Sequence, residues 1–350
     1  MRNMLGWIST WNVKCGISTY SANILKYISS DYIVLAANDN DLIKEDENNV
    51  HRCWNKNSDN FANLISCIVK ENIRKVVIQH HTGLILFRDL NKLILLLLKH
   101  NIDVSVTLHN TKEKSFFFRA NSIYSAKIGL KLCKNIFVHS VGDMGRLRKL
   151  GINDNIVHVP HGIYDNNSDS EGLFVPQGKV MGTFGFMMPH KGFTKLIQVF
   201  AELEGWDHLI MLCSEKEGIS EETKLCLVEI NKSGLENKVT LDTSFHNQDV
   251  IISTLSKCDL VVFPYQNTRE SASGAVRMAV SAGSAIAVTP LDIFSDIDGA
   301  IVMKGTSVEK MIDSISNIDE EDMALSRANI QSMGEEFRWP HITEKIEKLI

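Results

Sequence analysis

Short apolar runs alternate with longer amphipathic stretches along all 350 residues of the chain. Apolar runs bounded by turn residues are typical of buried strands, and apolar residues spaced three or four apart are typical of helices. The strands predicted in the first half are Met4–Ser9, Ile33–Ala36, Lys75–Gln79, Val104–Leu108, Asn135–His139 and Ile156–Val159. The helices predicted between them are Ser18–Ile28, Phe61–Glu71, Leu84–Lys99, Phe116–Cys133 and Gly142–Leu150.

The second half repeats this rhythm of strand and helix. Its predicted strands are Val180–Phe186, Leu209–Cys213, Lys238–Leu241, Asp259–Phe263, Ala285–Val288 and Ala300–Met303. Its predicted helices are Phe193–Leu203, Glu221–Lys232, Asp249–Ser256, Ser273–Ala282, Ser307–Ile315, Glu320–Met333 and Trp339–Ile350. Alternating strands and helices favour open parallel sheets covered on both faces.

The polar stretch Tyr164–Ser170 is the best candidate for a linker between the halves. We therefore predict an α/β protein of two doubly wound, Rossmann-like domains, at residues 1–165 and 166–335, with a last helix at 336–350 that packs back on the first domain. The carboxyl ends of the two sheets are expected to face each other across a cleft. Ligands of open α/β sheets bind at such ends, where helices begin.

The composition agrees with a folded, water-soluble chain, since 44% of the residues are hydrophobic and 23% are charged. The longest purely aliphatic run, Leu93–Leu98, is far shorter than the about 20 residues that span a bilayer. The first residues lack the apolar stretch of a signal peptide. Seven scattered cysteines without a CxxC spacing indicate reduced thiols. The expected location is the cytoplasm.

The net charge of −5 conceals an uneven distribution. Residues 1–160 carry 21 basic and 13 acidic side chains, and the stretch Lys112–Lys149 alone holds nine basic and two acidic ones. This stretch, which includes Phe116–Phe118, is either a solvated basic helix face or a surface for anionic lipid or a phosphate-bearing acceptor. A nucleic-acid partner is disfavoured because the basic region is local and the pI is about 6.2.

Three loops of the first half follow predicted strands and carry candidate chemistry. Gly16 permits close backbone approach, and Ser18 is placed to cap the next helix. His80 and His81 point to opposite faces at a strand end, so we expect one to pack inside and the other to face the cleft, without a metal. His109 ends a strand, where an imidazole can donate to a sugar hydroxyl or satisfy loop carbonyls.

Two loops of the second half combine small residues with a charged side chain. Gly182–Gly192 opens a helix and brings Lys191 to its first turn, where an anionic ligand would offset the unfavourable helix dipole. The loop after Leu260–Phe263 contains Glu270, a carboxylate suited to hydroxyl groups, and small residues that let a ligand touch the backbone at a helix start. The alternative for this last loop is a helix start of small residues that is packed tightly on the sheet.

Together these motifs resemble retaining GT-B glycosyltransferases of the family 4-like, bacterial surface polysaccharide type. The segments that carry the resemblance are Gly16–Ser21, His109, Val138–Ser140, Val159–Ile163, Pro189–Gly192, Glu270 and Ala279–Gly283. The resemblance implies a donor-binding second domain, an acceptor-binding first domain and transfer of a hexose-type sugar from a nucleotide-diphosphate sugar to a saccharide or lipid-linked acceptor in surface-glycan synthesis. It implies neither a metal nor a cofactor.

The resemblance also implies roles for single residues. Catalysis would fall to His109, Lys191 and Glu270. The donor would be bound by Gly16, Gly185, Lys191, Ser214, Phe245, Glu270, Ser273, Gly274 and Ala275. The acceptor side would include His81, Lys112, Lys114 and Arg119.

Two positions depart from the family pattern. Phe186 stands where an arginine often precedes the loop lysine, and Met278 stands where a second glutamate often binds the ribose. They motivate an alternative hypothesis, a catalytically lapsed protein that binds a nucleotide sugar, a glycan or a partner glycosyltransferase. An NAD-dependent oxidoreductase is disfavoured, because no G-x-G-x-x-G follows an early strand.

Overall fold

In a computed structural model, which describes residues 4–112, 122–164, 171–215, 218–268 and 270–350, the chain forms two compact units. The first comprises Met1–Pro160, Arg269–Ala272 and Trp339–Ile350, and the second comprises His161–Thr268 and Ser273–Arg338. The predicted boundary at residue 165 lies outside the described residues.

The first unit is built on a seven-stranded sheet whose paired strands are all parallel. Its strands are β1 (Leu5–Ser9), β2 (Tyr32–Ala37), β3 (Val50–Trp54), β4 (Lys75–His80), β5 (Asp103–Leu108), β6 (Asn135–Val138) and β7 (Ile156–His158). The order is β3-β2-β1-β4-β5-β6-β7, so the chain reverses its winding direction between β1 and β4. In doubly wound sheets, ligands bind at this switch point.

The helices of the first unit are α1 (Gly16–Leu25), α2 (Ala62–Lys70), α3 (Phe87–Lys99), α4 (Lys127–Leu132) and α5 (Val141–Lys149). The predicted helix over Phe116–Cys133 is wrong in its second part, which is divided into a 3-10 turn at Ile123–Ala126 and the short α4. Its first part, including Phe116–Phe118, lies outside the described residues.

The second unit contains a six-stranded sheet, also with parallel pairs throughout, in the order β10-β9-β8-β11-β12-β13. Its strands are β8 (Val180–Phe186), β9 (His208–Ser214), β10 (Val239–Asp242), β11 (Leu260–Phe263), β12 (Ala285–Val288) and β13 (Ile301–Val302). Its helices are α6 (Phe193–Glu202), α7 (Glu221–Lys232), α8 (Gln248–Leu255), α9 (Gly274–Ala282), α10 (Val308–Ile315) and α11 (Glu320–Glu336). The prediction of two doubly wound, Rossmann-like sheets is confirmed.

The last helix, α12 (Trp339–Glu347), belongs to the first unit and packs on α1. The ring of Trp339 lies edge-to-face with that of Tyr20, with 5.2 Å between centroids. The Glu347 carboxylate accepts hydrogen bonds from the backbone amides of Ser29 and Ser30. The last residues of the chain therefore pack on the first unit.

None of the helices among the described residues is long and apolar enough to cross a membrane. All seven cysteines are free thiols, and five of them are buried.

Candidate functional site

The loop between β1 and α1 is held by a network of polar side chains. Asn12 has left-handed backbone geometry (φ 52°), and its Nδ2 donates to the carboxylate of Asp46. The indole of Trp11 donates to Glu47 Oε2 at 2.8 Å. Burial alone would raise the pKa of Glu47, but hydrogen bonds from Lys44 and Trp11 outweigh it and lower the pKa to about 2. Glu47 is therefore an anion that anchors this loop.

Helix α1 begins at Gly16, which is exposed. A Cβ atom added there would meet no other atom within 4 Å, so a ligand can approach the backbone closely. The prediction that Ser18 caps α1 is wrong. Cys15 holds the capping position without a side-chain bond, and Ser18, inside the first turn, accepts from the Val13 amide at 3.4 Å.

The two adjacent histidines at the end of β4 have different surroundings. His80 is fully buried, and its Nε2 donates to the Ile85 carbonyl at 3.0 Å. Burial lowers the His80 pKa to about 3, so its ring is neutral at physiological pH. His81 is half-buried, and its Nδ1 accepts from the Gly83 amide at 3.0 Å. His80 packs inside, as the alternation of side chains along a strand requires.

His109 follows β5 and lies in a group of rings within the first unit. Its Nε2 is 2.9 Å from Gln79 Oε1, and its Nδ1 is 3.3 Å from His139 Nε2. The ring of Tyr20, from α1, lies edge-to-face with His109 at 4.8 Å between centroids. Both ring nitrogens of His109 thus have partners inside the protein, and no sequence pattern indicated the pairing with His139.

A buried carboxylate next to this group was also missed. Asp143, which has no exposed surface, accepts from Ser140 at 2.6 Å, from Arg146 at 2.6 Å and from Ser271 at 2.9 Å, and also from Thr111. Burial would raise the pKa of Asp143, but these bonds lower it. The signal in the sequence was Ser140 followed three residues later by an acid, which is the pattern of a helix cap.

Glu270 is half-buried and belongs to the first unit. The amide of the next residue, Ser271, donates to the His109 carbonyl at 3.3 Å, so the chain at Glu270 is tied to the end of β5. Lys112 is half-buried two residues after Asn110, in the same unit. The other predicted acceptor-side residues, Lys114 and Arg119, lie outside the described residues.

Lys191 is buried in the second unit, with its side-chain nitrogen 4.0 Å from the ring centroid of Tyr265. It does not lie in the first turn of α6, as predicted, but ends a 3-10 turn at Pro189–Lys191. The following residue, Gly192, begins α6 with left-handed geometry (φ 73°). A Cβ atom at Gly192 would lie 2.2 Å from the Pro264 carbonyl oxygen, so only glycine fits there.

The start of α9 lies on the other side of Tyr265 within the same unit. The Tyr265 hydroxyl is 3.0 Å from Ser273 Oγ, which also accepts from the Val276 amide and caps α9. A Cβ atom at Gly185 would lie 3.8 Å from that of Ala275. The structure thus brings together Gly185, Lys191, Ser273, Gly274 and Ala275.

Ser214 ends β9 and Phe245 follows β10, at the same edge of the second sheet. Ser214 is buried, and its hydroxyl donates to the Ser244 carbonyl at 2.9 Å. Phe245 is 39% exposed and stacks on Phe186, with ring centroids 6.1 Å apart and planes at 23°. Phe186, the first departure from the family pattern, therefore contributes an aromatic surface instead of a cation. Met278, the second departure, is buried.

Among the described residues, no group of three or more histidine, cysteine, aspartate or glutamate side chains is arranged to hold a metal ion. The predicted site residues fall into two sets. Gly16, His81, His109, Lys112 and Glu270 belong to the first unit, and Gly185, Lys191, Ser214, Phe245, Ser273, Gly274 and Ala275 belong to the second.

No protein-family model and no curated protein sequence matches the chain. Solved structures do match it over nearly its whole length. Two parallel, doubly wound sheets in one chain define the GT-B fold, and these structures share it.

One similar structure is HepE from Anabaena in complex with UDP and glucose (14% identity, 99% of each chain, TM-score 0.77). Another is sucrose-phosphate synthase from Thermosynechococcus elongatus (13% identity, 99% of this chain and 98% of that one, TM-score 0.75). A third is a UDP-forming trehalose-phosphate synthase from Burkholderia xenovorans (9% identity, 100% and 98%, TM-score 0.73). At these identities the likeness establishes the fold alone.

Proposed function

We propose that this chain is a retaining glycosyltransferase that moves a hexose-type sugar from a nucleotide-diphosphate sugar to a hydroxyl of a saccharide or lipid-linked acceptor. HepE has been crystallised with UDP-glucose, and two other similar structures are synthases of sugar phosphates. A cytoplasmic role in surface-glycan synthesis is part of the proposal and rests on the sequence resemblance.

The observation that carries the proposal is the position of Lys191. Its ammonium group is buried against the Tyr265 ring, beside the glycine turn before α6. A buried ammonium group beside a glycine turn can make a charge-assisted hydrogen bond to a diphosphate. The free amides at the start of α9, at Gly274 and Ala275, would add hydrogen bonds and a favourable dipole for the same anion.

The proposed reaction is a front-face displacement. The bond between the anomeric carbon and the diphosphate oxygen breaks, and the acceptor hydroxyl bonds to that carbon on the same face. The hydroxyl proton passes to the leaving phosphate oxygen. Lys191 and the amides of α9 would stabilise the charge on the departing diphosphate, so the reaction needs neither a second carboxylate nor a metal ion.

The other candidate residues have supporting roles in this proposal. Glu270 would hold hydroxyls of the transferred sugar, and Gly16 would let a phosphate approach the start of α1. The stacked rings of Phe186 and Phe245 would offer an apolar surface to the base.

The decisive experiment is a panel of nucleotide sugars, read by release of nucleoside diphosphate with free saccharide and lipid-linked acceptors. Lys191→Ala and Glu270→Ala are each expected to lower the transfer rate at least tenfold, about 1.4 kcal/mol in the barrier. The matched control is Lys224→Ala, because Lys224 is exposed on α7. Transfer at wild-type rates in both site variants would refute the proposed roles.

Phe186 and Met278 favour a second candidate, a catalytically lapsed GT-B protein. Both positions carry apolar side chains where the family pattern has charged ones, and Met278 is buried. Binding of nucleotide sugars does not separate the two candidates. Binding without acceptor-dependent release of diphosphate, across the whole panel, would favour the lapsed protein.

We further propose peripheral contact of the first unit with an anionic membrane. Tyr124, Ile128 and Leu132 are exposed by 66%, 65% and 55% on the 3-10 turn and α4. Lys127, over the Tyr124 ring, and the exposed Lys131 lie among them. We call these five residues the α4 surface, and its combination of apolar and cationic groups suits a membrane with anionic lipid.

This contact is tested by co-sedimentation with vesicles that contain phosphatidylserine. We expect binding that weakens as salt rises and that is reduced by Ile128→Asp. Leu225→Asp is the matched control, because Leu225 is a similarly exposed apolar residue on α7. Equal binding to neutral vesicles would rule out the electrostatic contribution and leave the α4 surface as a solvated helix face.

A further inference from the structure

His109 and His139 lie side by side at the carboxyl edge of the first sheet, and their hydrogen-bond partners indicate how many protons the two rings carry. The inner nitrogens, His109 Nδ1 and His139 Nε2, lie 3.3 Å apart. Two nitrogens at this distance are compatible only if one of them carries a proton directed at the other. The other nitrogen of each ring, His109 Nε2 or His139 Nδ1, is here called the outer nitrogen. Whether the outer nitrogens donate or accept determines how many protons the pair holds.

The outer nitrogen of His139 must be a donor. Its Nδ1 is 2.9 Å from the Val159 carbonyl oxygen, which can only accept. The Val159 amide is itself bound to the Val138 carbonyl at 2.8 Å, so the backbone of this segment is fixed to β6. A neutral His139 therefore offers a lone pair at Nε2, toward His109.

The outer nitrogen of His109 faces an oxygen as well. Its Nε2 is 2.9 Å from Gln79 Oε1, and the other end of that amide, Nε2, donates to Thr107 Oγ1 at 3.1 Å. His109 Nε2 is therefore a donor too, and a neutral His109 offers a lone pair at Nδ1. With the Gln79 amide in this orientation both outer nitrogens donate, and the inner pair then needs one additional proton.

We propose that His139 is a positioning residue that shares one proton with His109, so that the pair acts as a single cation beside the start of α1. On this proposal three of the four ring nitrogens carry a proton. Because both rings are anchored through their outer nitrogens, the shared proton also sets the plane of the His109 ring.

The surroundings are compatible with one positive charge. The Tyr20 ring lies edge-to-face with both imidazoles, at 4.8 and 5.2 Å between centroids. Burial raises the pKa of Tyr20, so its phenol is neutral.

Among the residues that the structure describes, further titratable groups near the pair come from other elements. His158 Nε2, on β7, is 3.3 Å from the His139 carbonyl, and the neutral His80 accepts from the His109 amide through its carbonyl. Glu270 precedes Ser271, whose amide is bound to the His109 carbonyl, and Asp143 accepts from the Ser271 hydroxyl. Glu270 contributes negative charge on the side of residues 270–272, which favours a cationic pair, whereas Arg146, 2.6 Å from Asp143, balances the charge of that carboxylate.

The charge has a consequence that rests on the proposed function. A cation at this edge of the sheet, next to the helix that begins at Gly16, favours an anionic group there, as the helix start itself does. It would stabilise an anionic group of the donor that is bound at this helix start. As pH rises and the shared proton is lost, this contribution disappears, so the transfer rate should fall on the alkaline side.

The proton count can be measured without any substrate. Two-bond proton–nitrogen spectra of the full chain labelled with ¹⁵N-histidine distinguish protonated from bare ring nitrogens. At neutral pH we expect protons on both outer nitrogens and one shared proton on the inner pair. The proposal would be overturned if the four ring nitrogens carried only two protons, with His109 Nδ1 and His139 Nε2 farther apart or the Gln79 amide turned by 180°. It would also be overturned if all four ring nitrogens carried a proton.

Two variants sharpen this measurement. Gln79→Glu keeps an oxygen opposite His109 Nε2, so the number of protons on the four ring nitrogens should stay at three. If the Gln79 amide of the wild type has the reverse orientation, this variant should instead hold one proton more than the wild type. His139→Gln can donate an amide hydrogen to His109 Nδ1, so His109 should become neutral. His158→Gln removes one histidine from the spectra and so helps to assign the signals of His109 and His139. His100→Gln, at the exposed residue that follows α3, should leave the number of protons on the pair unchanged.

Activity gives the second readout, with the donor and acceptor that the panel identifies. We expect His139→Gln to lower kcat about tenfold with less than a threefold change in KM for the donor, and to lose the alkaline decline expected of the wild type. A wild-type pH profile in His139→Gln would refute the catalytic part. If no donor is turned over, the proposed function fails, and the spectra still decide whether the proton is shared.

Discussion

The candidate site residues of the first unit and those of the second unit are held in different ways. In the first unit, polar groups hold one another: Asp143 accepts four hydrogen bonds, His109 is bonded to Gln79 and His139, and His139 is bonded to the Val159 carbonyl. In the second unit, the Lys191 turn is held by backbone shape, with glycine at two positions of positive φ, and by the Tyr265 ring. The first arrangement depends on the protonation of its side chains, so it should respond to pH. The second depends on the absence of a side chain at its glycines, so it should respond to substitutions that add atoms there.

The largest effect on stability is expected at Gly192, where an added side chain would clash with the backbone. Gly192→Ala places a Cβ atom 2.2 Å from the Pro264 carbonyl oxygen in left-handed backbone (φ 73°), so we expect a loss of about 4 kcal/mol in the free energy of unfolding. Urea denaturation measures it. The control is Gly234→Ala, which shares the left-handed geometry (φ 64°) but meets no atom within 4 Å and should lose only about 1 kcal/mol. Equal losses would show that packing at Gly192 is not critical.

The next effect tests the hydrogen-bonded half. Asp143→Asn keeps the shape of a fully buried side chain but removes the charge that Arg146 and three hydroxyls share, so we expect a loss of about 3 kcal/mol at neutral pH. Asp154→Asn, at an exposed position, should be nearly neutral.

The same carboxylate predicts an acid dependence. Because the folded pKa of Asp143 is lowered, its stabilisation is complete above the ordinary aspartate pKa of about 3.9 and is lost as pH falls toward the folded value. The difference between wild type and Asp143→Asn should therefore shrink below about pH 4. A difference that is independent of pH would mean that the charge contributes nothing.

A smaller effect at milder acidity is expected from His80. Its pKa of about 3 in the folded protein lies below the ordinary value of about 6.5, so protonation favours the unfolded chain. Stability should fall as pH drops through about 6.5, by about 2 kcal/mol at pH 5. His80→Gln, which can still donate to the Ile85 carbonyl, should lack this loss, whereas His100→Gln should retain it. Identical pH profiles for all three proteins would contradict the assignment.

The smallest effect on stability is expected at Gly16, where the comparison bears on function. Gly16→Ala meets no atom within 4 Å at the first residue of α1, so the free energy of unfolding should change by less than about 0.5 kcal/mol. If a phosphate approaches this backbone, donor turnover should nevertheless fall. Unchanged turnover together with unchanged stability would remove Gly16 from the donor-binding residues.

Elements with strong apolar signals were predicted well. Val180–Phe186, Glu221–Lys232 and Ala285–Val288 agree with the structure residue for residue. The strand that was missed, β3 at Val50–Trp54, lies at the edge of its sheet and contains His51 and Arg52, which interrupt the apolar run. Edge strands are only partly buried, so their sequence carries a weaker pattern.

The sequence by itself determined the two α/β sheets and the loops at the ends of their strands, because burial of alternating apolar segments is a local and repetitive demand. It also indicated Lys191, whose turn has a glycine beside it. Only the tertiary structure decided that His109 meets His139 and Gln79, that Asp143 meets Ser271, and that Lys191 lies on Tyr265. These contacts join residues 30 to 128 positions apart. They arise because parallel strands bring distant loops to one edge of a sheet, an arrangement that no local pattern in the chain encodes.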